Sequence, residues 1–139
     1  MNQHTTNYYN SFIEIADDSV AEKGEIPPLK GDKKTVATIQ FDLIHKNPYQ
    51  FTSDDVLFQV FAERNEITDG EMDDARKQFF SKGQPCLRAS TLTKRYGWGI
   101  HFNELGKIAL YGTETEKYIQ FLSDTSLKRF QAVRSSKQI

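Results

Sequence analysis

An alternating segment, Arg95–Gly112, restricts the fold of this chain more than any other feature of its sequence. Apolar residues recur there with a period of two, which is the pattern of half-buried β-strands. The alternation continues on a return strand only if the loop is Glu104–Gly106, because a loop one residue longer would shift the register and break the pattern. Such a loop is a type I turn followed by a left-handed residue, which glycine favours at position 106. The segment therefore predicts a β-hairpin in which Phe102 faces Ile108.

The two faces of this hairpin differ in chemistry. Tyr96, Trp98, Ile100 and Phe102 share the apolar face, and we expect Trp98 to be a central core residue. The opposite face carries Arg95, Gly97, Gly99 and His101, with Gly99 across from Tyr111. Glycines in a strand are costly unless something approaches the backbone closely. Either a helix or the Tyr111 ring covers these glycines, or they form the floor of a shallow site walled by Arg95, His101 and Tyr111.

The remaining segments predict mostly helices. A strand is expected within residues 8–16 and a long loop over 17–33, where glycine and proline recur. Residues 35–46 combine helical spacing with strand-forming residues, and we predict a helix because the segment ends at Asn47-Pro48. Further helices are expected at these positions: after Thr52; after the capping boxes that begin at Thr68 and Thr113; and over residues 127–133.

This order of elements predicts an α+β domain, with a small antiparallel sheet that includes the hairpin of about 95–112 packed against several helices. The length of 139 residues is typical of one domain, so we expect a single domain over 1–139 with flexible tails at 1–7 and 135–139. A single cysteine, the absence of a long apolar run and a polar start favour a cytoplasmic protein.

Charge is unevenly distributed along the chain although the net charge is only −1. Residues 1–75 carry six basic and fifteen acidic residues, whereas residues 76–107 carry seven basic residues and one acidic residue. The two segments could neutralise each other in the fold. Alternatively, the basic segment could form a positive face that binds an anion, because clustered charge raises the local concentration of counter-ions.

Cys86 is a candidate nucleophile because of its thiol. Its basic neighbours would favour the thiolate, but catalysis would also require His45 or His101 beside it. A lone cysteine is more often a small buried hydrophobic residue. The histidines have no ligand spacing and the glycines match no nucleotide-binding signature, so no metal, cofactor or catalytic residue is predicted.

Nucleic-acid binding through the basic segment 76–107 is a further alternative, because aromatic residues interleave with the basic ones. The alternation turns Tyr96 and Trp98 inward, which leaves few exposed rings on which bases could stack. The isoelectric point of about 6.3 is also far from that of typical nucleic-acid-binding domains. Binding to nucleic acid is therefore not expected to be more than weak.

Several stretches resemble a family of small uncharacterised bacterial proteins of about this length. The likeness rests on residues 47–49, 55–58, 80–90, 92–99 and 107–112. One departure is Thr91, where proline is common in the family, and it affects only the local loop. The resemblance implies a bacterial cytosolic domain of unknown function, and it transfers no catalytic residue.

The function predicted from the sequence is therefore a non-enzymatic binding or interaction domain for a small anionic ligand or a partner protein. The alternatives are a thiol-dependent enzyme that uses Cys86 and a weak nucleic-acid binder. The candidate ligand-binding residues are Cys86, Arg88, Lys94, Arg95, His101 and Tyr111.

Overall fold

Five α-helices and one four-stranded sheet form the fold in a computed structural model that describes residues 3–135. The helices are α1 (Val36–Lys46), α2 (Ser53–Arg64), α3 (Met72–Phe79), α4 (Thr91–Lys94) and α5 (Glu116–Ser123). The strands are β1 (Ser11–Glu14), β2 (Trp98–Phe102), β3 (Ile108–Gly112) and β4 (Lys128–Gln131). The sheet order is β3-β2-β1-β4, and all pairs are antiparallel except β1 with β4. The predicted α+β class and mostly antiparallel sheet are confirmed.

The hairpin forms in the predicted register. Phe102 pairs with Ile108 and Gly99 pairs with Tyr111. The loop closes through a hydrogen bond from the backbone N–H of Asn103 to the carbonyl of Lys107, and Gly106 has a φ of +78°. Turn chemistry and side-chain alternation both specify this register, so the local sequence suffices to predict it.

Helices cover both faces of the sheet. On one face, Ile13, Ile100 and Phe102 are fully buried in the main core, into which α1 and α2 also pack. On the other face, Phe12 packs against Tyr118 and Phe121 of α5, with ring centroids 5.1 and 5.0 Å away. The sheet thus separates a large apolar core from a smaller aromatic layer.

The helix predicted over residues 127–133 is wrong, because Lys128–Gln131 form the edge strand β4. This segment pairs in parallel with β1, with Phe130 beside Ile13. Its apolar residues recur every three positions, which is compatible with a helix of little more than one turn. A segment this short gains little from its own helical hydrogen bonds, whereas the exposed edge of β1 offers it a full set of backbone partners.

Threonine hydroxyls cap the starts of α1 and α5, but the cap of α5 is not the residue that we predicted. Residues 35–46 do contain a helix, α1, whose first turn is capped by the hydroxyl of Thr35. The predicted box at Thr113 is wrong, since α5 is capped by Thr115, which accepts a hydrogen bond from the Tyr118 N–H. Thr113 instead donates its backbone N–H to the carbonyl of Gly97 and so extends the sheet.

Trp98 is half-buried rather than central to the core, which corrects the expectation for this residue. Its indole N–H donates to the carbonyl of Glu25 at 2.8 Å, and its ring packs against Gly24. Both partners belong to the long loop predicted over residues 17–33, where no helix or strand forms. The loop therefore covers the edge of the core, and it rather than solvent accepts the hydrogen bond of the indole N–H.

The terminal segments expected to be flexible lie partly outside the described residues, namely residues 1–2 and 136–139. Residues 3–7 run along the start of α2, where Thr6 is buried and both its N–H and its hydroxyl bond to Asp54 at 2.7 Å. Within residues 3–135, no helix is both long and apolar enough to cross a membrane.

Candidate functional site

The structure divides the predicted site residues between the two faces of the sheet. Cys86 lies on the α1 side, since the next residue, Leu87, is buried in the main core with residues of that helix. His101 and Tyr111 point to the opposite face, where α5 packs. His101 and Tyr111 come together, but the sheet separates both of them from Cys86.

A cavity of about 260 Å³ lies beside Cys86. It forms where the start of α1 meets α2, the end of α3 and the segment that leads into α4. Val36 and Gln40 are one helical turn apart in α1 and therefore reach the cavity from the same side. The side chains that determine its chemistry are apolar Val36, Leu57 and Phe79 and polar Gln40, Gln84 and Cys86.

Gln40 presents an unpaired hydrogen-bond donor to this cavity. The residue is only 4% exposed, and its Oε1 accepts a 2.6 Å hydrogen bond from the hydroxyl of Ser90. That hydroxyl already accepts from the N–H of Leu92, so its own proton is directed to Gln40, which sets the orientation of the amide. The Nε2 of Gln40 has no hydrogen bond within residues 3–135.

The unpaired nitrogen reaches open space rather than packed protein. Among the described residues, no fully buried side-chain nitrogen or oxygen lacks a hydrogen bond. The Nε2 of Gln40 therefore keeps some accessible surface, and Gln40 is one of the residues that line the cavity. A nearly buried amide donor thus faces a mostly apolar hollow.

Gln84 and Cys86 complete the polar part of the cavity. The Nε2 of Gln84 donates to the carbonyl of Phe79 at 2.7 Å, which leaves its Oε1 as an acceptor. The Sγ of Cys86 lies 3.2 Å from the hydroxyl of Tyr8. Burial and this hydrogen bond raise the pKa of Tyr8 to about 12, so the phenol is protonated at neutral pH.

The basic residues predicted to bind an anion have different surroundings. Arg88 donates from Nε to the carbonyl of Gln131 at 2.7 Å, and its guanidinium lies 5.8 Å from the centroid of the Phe130 ring. This arrangement covers part of the open edge of β4, where an unpaired carbonyl would invite a foreign strand. Lys94 is partly exposed, Arg95 is exposed, and neither takes part in an ion pair within the described residues.

One link between the basic and acidic segments is formed. The Nη2 of Arg76 lies 3.0 Å from the Oδ1 of Asp55, at the start of α2. The same guanidinium lies 5.7 and 5.6 Å from the ring centroids of Phe58 and Phe80. At this point the two segments neutralise each other, as one of the two interpretations of the charge pattern requires.

His101 and Tyr111 belong to a second polar group, which Tyr49 joins. The hydroxyl of Tyr49 lies 2.8 Å from the Nδ1 of His101 and 2.8 Å from the hydroxyl of Tyr111. The His101 ring stacks on Phe121, with a centroid distance of 4.3 Å and an interplanar angle of 13°. Burial, with a smaller contribution from Lys117, lowers the pKa of His101. We call His101, Tyr49 and Tyr111 the tyrosine–histidine network.

The open glycine floor, the second alternative on this face, is filled by protein. A Cβ placed on Gly99 would collide with the ring of Phe12 and would lie 2.7 Å from Cε2 of Tyr118. At Gly97 a Cβ would collide with the carbonyl of Lys23, and the residue has a φ of +77°. Both glycines therefore permit close packing, which is the first of the two explanations that the sequence offered.

Sequence reasoning missed Gln40, Tyr8 and Tyr49. The one available signal for Gln40 is a polar residue four positions after Val36, on the face of α1 that packs inward. No neighbouring residue indicates a role for Tyr8 or Tyr49, because their hydrogen-bond partners are 78 and at least 52 residues away in the chain. Among residues 3–135, no group of three or more histidine, cysteine or acidic residues is placed to hold a metal ion.

Comparison with known proteins gives a family but no activity. The model of DUF6157, described as a family of unknown function, matches residues 3–138. Searches of curated proteins and of solved structures found no match. The resemblance to an uncharacterised family is thereby confirmed, and the match covers nearly the whole chain. The chain belongs to DUF6157, a family of unknown function.

Proposed function

We propose that this domain binds a small molecule in the cavity beside Cys86 and does not convert it chemically. The observation that supports this function is the unpaired Nε2 of Gln40, which borders a cavity from a side chain that is 96% buried. An amide nitrogen that no protein group engages can donate its hydrogen bond to a bound molecule, and the buried surroundings of Gln40 hold that donor in place. The cavity thus offers a bound molecule a specific polar anchor.

The rest of the cavity supports the same function. Ligand sites are mostly apolar with a few directed polar groups, and their volumes begin at about 300 Å³, close to that of this cavity. A second hollow of about 480 Å³ shares Val36, Leu57 and Phe79 with it. A bound molecule can therefore extend from Cys86 along α2.

Nuclear magnetic resonance provides a direct test. Isotope-labelled protein is titrated with a panel of small aromatic and aliphatic amides, alcohols, acids and amines, and shifts of the Gln40 side-chain amide report on binding. Val36→Trp fills the cavity and should abolish the shifts. Val20→Trp is the matched control, because Val20 is 93% exposed in the long loop. If no member of the panel moves the Gln40 resonances, or if Val36→Trp binds as well as the parent, the proposed function is wrong.

Thiol chemistry at Cys86 is the second candidate, because Cys86 lines the same cavity. The hydroxyl of Tyr8, 3.2 Å away, can donate a hydrogen bond to a thiolate. However, His101 lies across the sheet, and His45 stacks on Phe41 in the last turn of α1, away from the cavity at its start. Neither histidine that the sequence suggested as a base is therefore beside the sulfur.

Iodoacetamide labelling separates binding from thiol chemistry. The binding function predicts that native Cys86 is alkylated more slowly than Cys86 in denaturant at neutral pH, and that a cavity ligand slows the native reaction further. A native rate above that of the unfolded chain, with Tyr8→Phe reducing it, would instead favour a thiol enzyme. The denatured protein serves as the control for intrinsic reactivity.

A further inference from the structure

Resting on the proposed function, we infer that the ligand of the Cys86 cavity is an uncharged molecule with a carboxamide group and an apolar body. The carboxamide carbonyl accepts from the Nε2 of Gln40, and its N–H donates to the Oε1 of Gln84. The body lies against the side chains of Val36, Leu57 and Phe79. This ligand class differs from the small anion that the charge pattern of the sequence suggested.

Two of the polar residues that line the cavity, Gln40 and Gln84, offer a ligand one donor and one acceptor. Gln40 uses its oxygen to accept from Ser90, which leaves its nitrogen free. Gln84 uses its nitrogen to donate to the Phe79 carbonyl, which leaves its oxygen free. A carboxamide carries the complementary pair, a carbonyl and an N–H, on adjacent atoms. A carboxylate or a ketone carries no N–H and therefore could not donate to the Oε1 of Gln84.

Charge argues in the same direction. No residue that lines the cavity is acidic, basic or histidine. Burial of an ionised carboxylate or ammonium is strongly unfavourable unless an opposite charge pairs with it. Arg88, the basic residue nearest to Cys86 in sequence, is not among the residues that line the cavity; its Nε donates to the Gln131 carbonyl, and its guanidinium also acts on the Tyr8 hydroxyl. An ionised ligand would therefore find no counter-charge among the residues that line the cavity.

Benzamide and benzoate form a matched pair that tests the inference, because they share size and shape and differ in charge and in the N–H donor. Dissociation constants are measured for both by titration calorimetry at neutral pH. We expect benzamide to bind at least tenfold more tightly than benzoate. Sites built to hydrogen-bond a ligand discriminate strongly against analogues that lack the matching group.

Substitutions at Gln40 and Gln84 test whether these two side chains bind the carboxamide group. Gln40→Met keeps the size of the side chain, removes the donor, and should weaken benzamide binding at least fivefold. Gln120→Met is the control, since Gln120 is exposed on α5 across the sheet. Circular dichroism verifies that each variant is folded. If Gln40→Met does not fold, Gln84→Met removes the acceptor at a half-buried position and should weaken benzamide binding in the same way.

The outcomes separate this inference from the proposed function. If benzoate binds as tightly as benzamide and Val36→Trp blocks both, the domain binds small molecules but the carboxamide inference is wrong. If benzamide binds and the folded glutamine variant leaves its affinity unchanged, the assigned contacts are wrong. If no member of the wider panel binds in the cavity, the proposed function fails and this inference fails with it.

Discussion

The Cys86 cavity and the tyrosine–histidine network lie on opposite faces of one sheet, and they differ in how far their polar groups are paired by hydrogen bonds. In the network, the hydroxyl of Tyr49 bonds to both His101 and Tyr111, each at 2.8 Å, and aromatic rings cover the group. In the cavity, the Nε2 of Gln40 is left without a partner in the described part of the chain. Both groups contain residues that the sequence alone made candidates for function.

This difference underlies our proposal that the network serves stability and that the cavity is open to a ligand. Buried polar groups that satisfy one another stabilise a particular packing, whereas a donor left facing a hollow has free energy available for binding. A chemically suggestive residue such as His101 is therefore weaker evidence of a site than the unpaired amide of Gln40. The following predictions test the comparison.

The largest effect is expected on the network face, at Phe12. This side chain is fully buried between β1 and α5, so Phe12→Ala should destabilise the fold by about 3–5 kcal/mol through lost burial and the cavity left behind. Val36→Ala, at the rim of the cavity, should cost only about 1 kcal/mol, because little apolar area is lost. Urea unfolding of both variants measures the contrast, and equal costs would contradict the distinction between a packed face and an open one.

A smaller effect on stability is expected at Gly99, where Phe12 and Tyr118 leave no room for a side chain. Gly99→Ala places a Cβ against Phe12 and Tyr118 and should destabilise the fold by about 1–3 kcal/mol. Gly70→Ala is the control, because open space surrounds Gly70 and alanine favours its helical turn. Thermal unfolding compares the two variants. A Gly99→Ala protein as stable as Gly70→Ala would show that the glycine floor is open after all.

Removal of one hydroxyl should reveal the structural value of the network. Tyr49→Phe breaks the hydrogen bonds to both His101 and Tyr111 and should cost about 1 kcal/mol. Tyr9→Phe is the matched control, since Tyr9 is 53% exposed, and it should change the stability by less than about 0.5 kcal/mol. Urea unfolding at neutral pH gives both values. A neutral Tyr49→Phe would mean that the network contributes nothing to the fold.

The smallest effect is a pH dependence that belongs to His101. Burial and Lys117 hold the pKa of His101 in the folded state below its ordinary value of 6.5, although Asp124 acts in the opposite direction. Burial raises the pKa of Tyr49, so the hydroxyl that bonds to His101 stays neutral. Below pH 6.5 the unfolded chain therefore binds more protons at His101 than the folded protein does. The free energy of unfolding should not depend on His101 above pH 6.5, and it should decrease as the pH falls below that value. His101→Gln should remove that part of the slope, and an unchanged slope would contradict the assignment.

Short-range features of the sequence predicted much of the fold. The hairpin register followed from the alternation and from Gly106, and the helices within residues 35–46 and after Thr52 followed from local signals such as Asn47-Pro48. The strand β4 could not be predicted, because its hydrogen-bond partners lie in β1, more than 100 residues away. The same limit applied to Trp98, whose burial depends on a loop that is remote in sequence.

The candidate site was predicted only in part. The sequence singled out Cys86 for its chemistry, and Cys86 does line the cavity, but Gln40 and Gln84 were not among the candidates. Arg88 was selected for its charge, and the structure shows its guanidinium at the edge of β4 instead. A charge is visible in a sequence, whereas an unpaired hydrogen-bond donor exists only after every other partner has been placed.

The sequence by itself determined the α+β class, the hairpin with its register and the positions of α1 and α2, because these depend on interactions between residues close in the chain. The tertiary structure decided which polar groups found partners: Tyr49 bridges His101 and Tyr111, whereas the Nε2 of Gln40 remains unpaired. Hydrogen-bond satisfaction depends on distances between atoms that are far apart in sequence. Only the tertiary structure could therefore place the Cys86 cavity and the tyrosine–histidine network on opposite faces of the sheet.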